Sequence, residues 1–241
     1  MNSSVHDNKV VFVSGANRGI GKALVEALLK HNVKKIYAGA RDAKSIPNFG
    51  DKRVVPVELD ITNIEQIQKA SVLASDTQVL INNAGVLTYA SVVTGHKEDL
   101  MKDMQVNYFG TLSMVNNFSP VIEKNGGGAI ANINSIVGLA AMSGIGSYSA
   151  SKAALYSATQ AMRTELKSRN ITVHSIFPGP IDTDMSKGMD MPKTSPQVTA
   201  ENILNGIANG KEDIFPDPMS TQLSELWSKD PKGLEKQFAS M

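Results

Sequence analysis

Short apolar runs alternate with longer amphipathic segments along most of the chain. Runs rich in β-branched and aromatic residues, bounded by Gly, Asn, Asp and Pro, are typical of buried strands. They predict strands at Val10–Ser14, Lys35–Ala38, Arg53–Leu59, Val79–Asn82, Gly128–Ser135, Thr172–Phe177 and Asp213–Phe215. Apolar positions at helical spacing predict helices near 19–31, 63–75, 96–118, 148–169, 197–209 and 217–228.

Strands that alternate with helices predict one parallel sheet covered by helices on both faces, with right-handed crossovers. The 241 residues show no repeat and no linker-like stretch, so we expect a single domain over residues 1–241. The predicted fold class is therefore α/β, with a doubly wound, seven-stranded parallel sheet. Asp217-Pro218 and Asp230-Pro231 each place a capping Asp before a Pro, which predicts two helix starts.

A glycine-rich turn separates the first predicted strand from the first predicted helix, with Gly15, Gly19 and Gly21 in it. Free N–H groups and the positive dipole end at such a helix N-terminus favour a phosphate, and glycines let the backbone approach it. A Walker-type loop is disfavoured, because Ala23 replaces the required hydroxyl and the upstream glycine is one residue out. The spacing G-x-x-x-G-x-G also differs from G-x-G-x-x-G, and a merely tight turn remains an alternative.

Tyr148 and Lys152 lie four residues apart in a predicted helix, so both side chains should occupy one face. A phenol titrates near pH ~10, and a nearby cation lowers its pKa. Such a pair can give a proton to a carbonyl oxygen or take one from an alcohol. Taken alone, such a short pattern favours an ordinary surface Tyr and Lys that happen to lie four residues apart.

The glycine turn and Tyr-x-x-x-Lys together resemble the short-chain dehydrogenase/reductases of the classical type, over most of the chain. Further matching segments, in order, are Asn82-Asn83-Ala84-Gly85, Asn107, Ser135 and Pro178-Gly179. The one small departure is Ser14, where Thr is commoner in the family, and a Ser hydroxyl can make the same hydrogen bond. The resemblance implies a Rossmann fold with the cofactor at the carboxyl ends of the strands.

The resemblance also implies roles for four residues. Tyr148 would be the general acid in reduction and the general base in oxidation. Lys152 would hold the nicotinamide ribose and lower the pKa of Tyr148, and Ser135 would hydrogen-bond the substrate oxygen. Asn107 would hold a water that links Lys152 to solvent. Alone, Asn107 and Ser135 are also consistent with a satisfied polar group in a helix and a strand-end cap.

The expected function is therefore an NADP-dependent oxidoreductase that transfers a hydride between nicotinamide and a carbonyl or alcohol substrate. One alternative is an isomerase or epimerase of nucleotide sugars, although such relatives have G-x-x-G-x-x-G and an added substrate domain. The other is a non-catalytic NAD(P)-sensing protein on the same fold, since fold does not fix function.

The second predicted strand ends in small residues followed by Arg41, without the acid that binds ribose hydroxyls and repels a 2′-phosphate. Arg41 and Arg18 match basic positions of family members that prefer NADP, which implies NADP(H) as the cofactor. Both are alternatively solvated surface charges, and Asp42 can partly neutralise Arg41. By resemblance, the full set of cofactor-binding residues is Gly15, Asn17, Arg18, Gly19, Ile20, Gly21, Arg41, Asp60, Ile61, Asn83, Ala84, Gly85, Tyr148, Lys152, Pro178, Gly179, Ile181 and Thr183.

The predicted substrate pocket combines Ile136 to Gly146, the region Val86–Gly95 and the loop 183–196. Small and apolar residues dominate these segments, so a modest hydrophobic ketone or aldehyde is the expected substrate. The sequence leaves steroid, sugar, acyl-thioester and xenobiotic carbonyls open.

The composition argues against several other partners. There are 24 Lys and Arg against 23 Asp and Glu, without a basic cluster, so we expect no nucleic-acid partner. There is no Cys, and the four His are scattered, so no metal site is expected. No leader pattern and no apolar run of ~18 residues occur, so we expect a cytoplasmic protein without a membrane span. A small-residue face on the 148–169 helix, together with the resemblance, implies a homodimer or homotetramer.

Overall fold

The computed structural model describes residues 7–240, and its centre is one sheet of seven parallel strands in the order β3-β2-β1-β4-β5-β6-β7. The predicted domain ends, and most of the N-terminal segment expected to lack a leader, lie outside the described residues. The strands are β1 Val10–Ser14, β2 Lys35–Ala40, β3 Val54–Glu58, β4 Val79–Asn82, β5 Gly128–Ile133, β6 Ile171–Ile176 and β7 Asp213–Ile214. The predicted doubly wound α/β sheet is therefore confirmed.

Eight α-helices surround the sheet in the described part of the chain. They are α1 Gly19–Lys30, α2 Ile64–Leu73, α3 Lys97–Met104, α4 Thr111–Lys124, α5 Gly146–Lys167, α6 Pro196–Ala208, α7 Pro218–Lys229 and α8 Pro231–Ala239. One apolar core lies between the sheet and α1 and α6, and a second lies between the sheet and α2, α4 and α5. Helices thus cover both faces, as the sequence predicts.

The strand order reverses between β1 and β4, two neighbouring parallel strands near the centre of the sheet. All five residues of β1 and all four of β4 are buried, which explains their continuous apolar sequences. In open α/β sheets the crevice at such a switch point, outside the carboxyl ends of the strands, is where ligands bind. The fold therefore directs attention to the segments that follow β1 and β4.

The predicted helix 96–118 is three pieces: α3, a π-helical segment Gln105–Gly110, and α4, which continues to Lys124. The observed helix runs past the predicted end and includes Pro120, although proline removes a helical hydrogen bond. Pro120 and Asn116, whose carbonyl loses that bond, are both exposed, so water can satisfy it, while Met114, Phe118 and Ile122 keep the buried stripe continuous.

The C-terminal end of the fold also differs from the predicted elements. Asp217 and Asp230 do cap helices, at α7 and α8, but α8 was predicted only as a start. Leu223, Leu234 and Phe238 of this helix pair form a third apolar cluster with Ile136 and Val137, which follow β5. No described helix combines the length and apolar character that crossing a membrane requires.

Candidate active site

A cavity of about 950 Å³ runs along the carboxyl ends of the strands and crosses the switch point. Eighteen of the predicted site residues line it, a group that includes Ser135, Tyr148 and Lys152. Two predicted residues, Gly21 and Asn107, do not line the cavity and instead lie behind its wall. Most of the residues that the family resemblance implies therefore lie along one continuous cavity.

The glycine turn after β1 packs too tightly for side chains. Gly15 has φ +65°, and a Cβ there would lie 2.9 Å from the Ala84 Cα. A Cβ on Gly21 would lie 2.1 Å from the Gly15 carbonyl oxygen, which explains why Gly21 is needed although it does not touch the cavity. Arg18 makes no side-chain cap and the first turn of α1 holds no acid, so its N–H groups face the cavity unopposed by negative charge.

Hydrogen bonds between the ends of β1 and β4 fix the shape of this turn. The Ser14 hydroxyl accepts from the Asn83 and Ala84 N–H groups, both at 3.1 Å. The Asn83 amide donates to the Ser14 and Gly15 carbonyls, both at 3.0 Å. Ser14 therefore makes the bonds expected of the commoner Thr, and Asn83 holds the glycine turn from behind.

The far end of the cavity, beyond β2, carries the exposed polar groups. Arg41 and Asp42 both line this end from exposed positions, and the Asp42 carboxylate accepts from the Lys44 N–H at 2.9 Å. Arg18 forms a 2.9 Å ion pair with Asp184, and these side chains are 66% and 70% exposed. Ser45, bonded to Asn17 at 3.2 Å, also lines this end and was missed, because it lies in a short 3₁₀ turn without a recognisable motif.

Asp60 and Ile61 line the cavity after β3, as predicted. Asp60 accepts hydrogen bonds from the Thr62 N–H at 2.9 Å and the Thr62 hydroxyl at 2.7 Å, while Asn63, and not Asp60, caps α2. The Asp60 carboxylate is thus held at the cavity rim by its own turn.

Tyr148 and Lys152 lie in the first turns of α5, which starts two residues earlier than predicted. The Lys152 ammonium lies 5.5 Å from the centre of the Tyr148 ring and donates to the Ile133 carbonyl at the end of β5, at 2.7 Å. Lys152 is 4% exposed. The two side chains therefore share a face and meet the sheet where β5 ends.

The predicted acidification of Tyr148 is wrong for this structure. Burial is the main reason that the pKa of Tyr148 is raised to about 12. The hydrogen bond with Ser135 lowers this pKa in part, and the charge of Asp103 raises it further. Burial also lowers the pKa of Lys152 to about 8, with Asp103 acting in the opposite direction. Loss of solvent is the largest cause of both pKa shifts, so Tyr148 holds its proton at neutral pH.

Asn107 lies in the π-helical segment, a local widening that often occurs at functional sites. It is fully buried, and its amide donates to the Val86 carbonyl and the Ser151 hydroxyl, both at 2.9 Å. Its side-chain oxygen accepts from the Val86 N–H at 2.9 Å. Asn107 thus ties α5 to the loop that follows β4.

Ser135 and the segment Pro178-Gly179 meet across the ends of β5 and β6. The Ser135 hydroxyl lies 3.4 Å from the Pro178 carbonyl and forms a hydrogen bond with Tyr148. The Gly179 N–H donates to Asp217, whose other carboxylate oxygen caps α7. Ile181 and Thr183 follow on the cavity wall, where the Ser186 hydroxyl donates to the Ile181 carbonyl at 2.6 Å.

Each of the three predicted pocket segments contributes to the cavity wall next to Tyr148, although only Val86 and Leu87 of Val86–Gly95 do so. The wall is mostly apolar. The prediction missed Met219, Leu223 and Phe238, which close this end from α7 and α8. The sequence predicted α7 as the helix 217–228 and α8 only through its Asp-Pro start, and no sequence pattern placed either helix against residues 136–145.

Comparison with known proteins gives a consistent family assignment. The short chain dehydrogenase family model matches residues 9–193. An uncharacterized oxidoreductase of Staphylococcus saprophyticus is 32% identical over 76% of this chain and 82% of its own length. A 3-oxoacyl-acyl-carrier-protein reductase of Vibrio cholerae is 31% identical over 76% of this chain and 78% of its own.

Solved structures agree with the sequence matches. A Burkholderia cenocepacia short chain dehydrogenase in complex with NADP has a TM-score of 0.92 at 38% identity, covering 98% of both chains. A Burkholderia phymatum dehydrogenase/reductase in complex with NAD, at 21% identity and a TM-score of 0.83, shares the fold over 93% of this chain and 94% of its own. With the cavity geometry above, these matches show that the chain belongs to the short-chain dehydrogenase/reductase family and is an oxidoreductase of that family.

Proposed function

We propose that the protein is an NADP(H)-dependent oxidoreductase that interconverts a hydrophobic carbonyl compound and its alcohol. One observation carries the proposal. A single cavity joins a glycine-lined helix N-terminus and two exposed arginines at one end to Ser135, Tyr148 and Lys152 at the other. That arrangement suits the chemistry of a dinucleotide, with proton-transferring groups at the reacting end.

The residues present fit the dinucleotide. The glycine turn that lines the cavity keeps its shape only because Gly21, behind it, has no Cβ that would clash with the Gly15 carbonyl oxygen. The free N–H groups of α1 suit the pyrophosphate, and Arg41 with Arg18 suits a 2′-phosphate because a guanidinium forks onto phosphate oxygens. The NADP bound by the Burkholderia cenocepacia neighbour supports this choice over NAD. When bound, the cofactor supplies or accepts the hydride.

The side chains at the reacting end have separate tasks. Tyr148 donates its proton to the carbonyl oxygen during reduction and takes it back during oxidation, and its raised pKa keeps it protonated at neutral pH. Ser135, bonded to Tyr148, orients the same oxygen. Lys152 supplies the positive charge that steadies the developing phenolate and holds the nicotinamide ribose. Asn107 supports the proton route from Lys152 to solvent through water.

The substrate class follows from the wall near Tyr148. Apolar side chains from the segment after β5, the loop 183–196 and α7–α8 enclose this end, so a hydrophobic ketone or aldehyde is the proposed substrate. The 3-oxoacyl substrate named for the Vibrio cholerae relative is one member of that class. Ala150, Ala153 and Ser157 form an exposed face on α5, and we further propose that it pairs with a second copy.

The test follows the loss of NADPH absorbance with a panel of carbonyl compounds, repeated with NADH. We expect turnover with NADPH on apolar carbonyls, and a loss of ~10²–10⁴-fold in Tyr148→Phe because proton transfer fails. NADPH binding, measured by fluorescence titration, should survive in that variant. Tyr156→Phe is the matched control, because its hydroxyl points to Asp213, away from the cavity. Retained turnover in Tyr148→Phe would contradict the proposed role.

A further inference from the structure

Asp103 is a buried acid that the proposed mechanism leaves without a task. It lies on α3, one turn before Asn107, and is 0% exposed. Acids are almost never fully buried unless they are paired, because loss of solvent disfavours the charge. Within residues 7–240 Asp103 forms no ion pair with any Lys or Arg. Such a group needs a structural or functional reason.

The hydrogen bonds of Asp103 give its first role. One oxygen accepts from the Thr88 N–H at 3.2 Å and the other from the Thr88 hydroxyl at 2.7 Å. Asn107 binds the N–H and carbonyl of Val86 in the same way. Residues one turn apart on the helix therefore hold alternate residues of the loop after β4, and Leu87 between them lines the cavity.

The charge of Asp103 gives its second role. Both oxygens accept hydrogen bonds, as an ionised carboxylate does. The titratable groups on elements packed around it are Tyr148 and Lys152 on α5, Tyr108 on the π-helical segment, Tyr89 on the loop, and Asp99 and Lys102 on α3 itself. Its charge raises the pKa of both Tyr148 and Lys152, and burial alone would push Lys152 further towards neutrality.

We propose that Asp103 is a positioning residue of the active site: it anchors the pocket loop through Thr88 and supplies the buried negative charge that keeps Lys152 cationic. This inference rests on the proposed function for its catalytic meaning. Among the described contacts, the Lys152 ammonium hydrogen-bonds the Ile133 carbonyl, lies 5.5 Å from the centre of the Tyr148 ring and forms no ion pair. A carboxylate at Asp103 offsets the cost of that buried cation without neutralising it by direct contact, which leaves the ammonium free for the cofactor ribose.

The test is Asp103→Asn, which removes the charge while the amide can still bond to both groups of Thr88. Lys152 is followed by NMR of ¹³C-labelled lysine ε-carbons, with Lys152→Arg used to assign its resonance. We expect the titration midpoint of Lys152 to fall by about one pH unit, a tenfold change in proton affinity. Glu98→Gln, an exposed charge removal on the same helix, should leave the midpoint in place.

Thr88→Val separates the two roles, because it removes the hydroxyl bond and keeps the carboxylate. It should leave the Lys152 midpoint within a few tenths of a pH unit and raise KM for the carbonyl by about fivefold, since one hydrogen bond contributes ~1 kcal/mol. If Asp103→Asn does not fold, Asp103→Thr removes the charge with a different side chain and gives the same readout. An unchanged Lys152 midpoint in the folded neutral variant overturns the inference.

Activity measurements distinguish this inference from the proposed function. The rising limb of the alcohol-oxidation pH profile reports loss of the Tyr148 proton, and the charge of Asp103 also raises the pKa of Tyr148. In the neutral variant this limb should therefore move to lower pH, alongside the fall of the Lys152 midpoint. If the wild type turns over carbonyl compounds but the Lys152 midpoint does not shift in the variant, only the proposed role of Asp103 is rejected. A shifted midpoint in a protein that turns over no carbonyl rejects the proposed function, and the electrostatic link between Asp103 and Lys152 stands.

Discussion

At the Tyr148 end of the cavity the polar side chains are buried and bonded to the protein, whereas at the Arg41 end they are exposed. Lys152 binds the Ile133 carbonyl and Asn107 binds Val86 and Ser151. Arg18, by contrast, is held by one exposed ion pair. Buried polar groups must find partners within the fold, while exposed groups are satisfied by water. The reacting end is therefore preorganised by folding, and the arrangement at the phosphate end is left to the ligand.

The difference has an energetic side. Dipoles and charges that folding has already oriented in a water-excluded site need no reorganisation free energy during the reaction. Burying them, however, lowers the stability of the folded protein. Exposed charges cost little to keep and contribute little until a ligand desolvates them. The following predictions test this contrast, starting with the buried end.

The largest expected effect is a pH-dependent stability term from Lys152. Its pKa is about 8 in the folded protein and near the ordinary 10.5 in the unfolded chain, so the unfolded chain binds more protons between these values. Stability should therefore rise with pH from about 8 to 10, by roughly 3 kcal/mol in total over the full interval. The measurement is urea unfolding of the wild type and Lys152→Met at several pH values.

Tyr148 sets the upper limit of that experiment, because its folded pKa of about 12 exceeds the ordinary 10. Above pH 10 the folded protein retains a proton that the unfolded chain loses, so stability falls again. The free energy of unfolding of the wild type, relative to that of Lys152→Met, should thus rise only between pH 8 and 10. A difference that does not change with pH would mean that the buried end carries no such cost, and the comparison would fail.

Residues that match the family pattern were predicted at both ends of the cavity, and residues outside that pattern were missed at both ends. Tyr148, Lys152, Ser135 and Asn107 were predicted because they match the family pattern. Ser45 and Asp184 lie in turns whose course depends on distant packing, so no local pattern predicts them. The parallel sheet followed from strong periodicity in the short apolar runs, whereas the π-helical segment in 96–118 has no periodicity of its own.

Long-range packing also explains what the sequence could not give at the buried end. Tyr148 was expected to be acidified by its neighbour, but burial depends on the whole fold and dominates its pKa. No sequence pattern distinguishes Asp103 from the other charged residues in the segment 97–103, and only the structure shows that it is fully buried. The family motif predicted which residues lie together, but it did not predict how far they are buried from solvent.

At the exposed end, the expected effect of Arg41→Ala is about a tenfold loss of NADPH affinity with little change for NADH. The guanidinium lines the cavity from an exposed position, and its charge-assisted bond to a phosphate contributes ~1.5–3 kcal/mol, partly screened by water. Binding of the two cofactors is compared by fluorescence titration, with the exposed Lys52→Ala as the control. Equal losses for NADPH and NADH would place Arg41 away from the 2′-phosphate.

The smallest expected effect concerns the ion pair between Arg18 and Asp184. Because both side chains are more than half exposed, their attraction should contribute at most ~1 kcal/mol. Asp184→Asn frees Arg18 for a phosphate, so NADPH affinity should rise about two- to threefold at low salt, and the gain should shrink as salt screens the surface charges. The contrasting outcome is a loss of affinity, which would mean that Asp184 holds Arg18 in its binding position. In that case the side chains at the phosphate end are also held in position before the ligand binds. The two ends of the cavity would then differ only in solvent exposure.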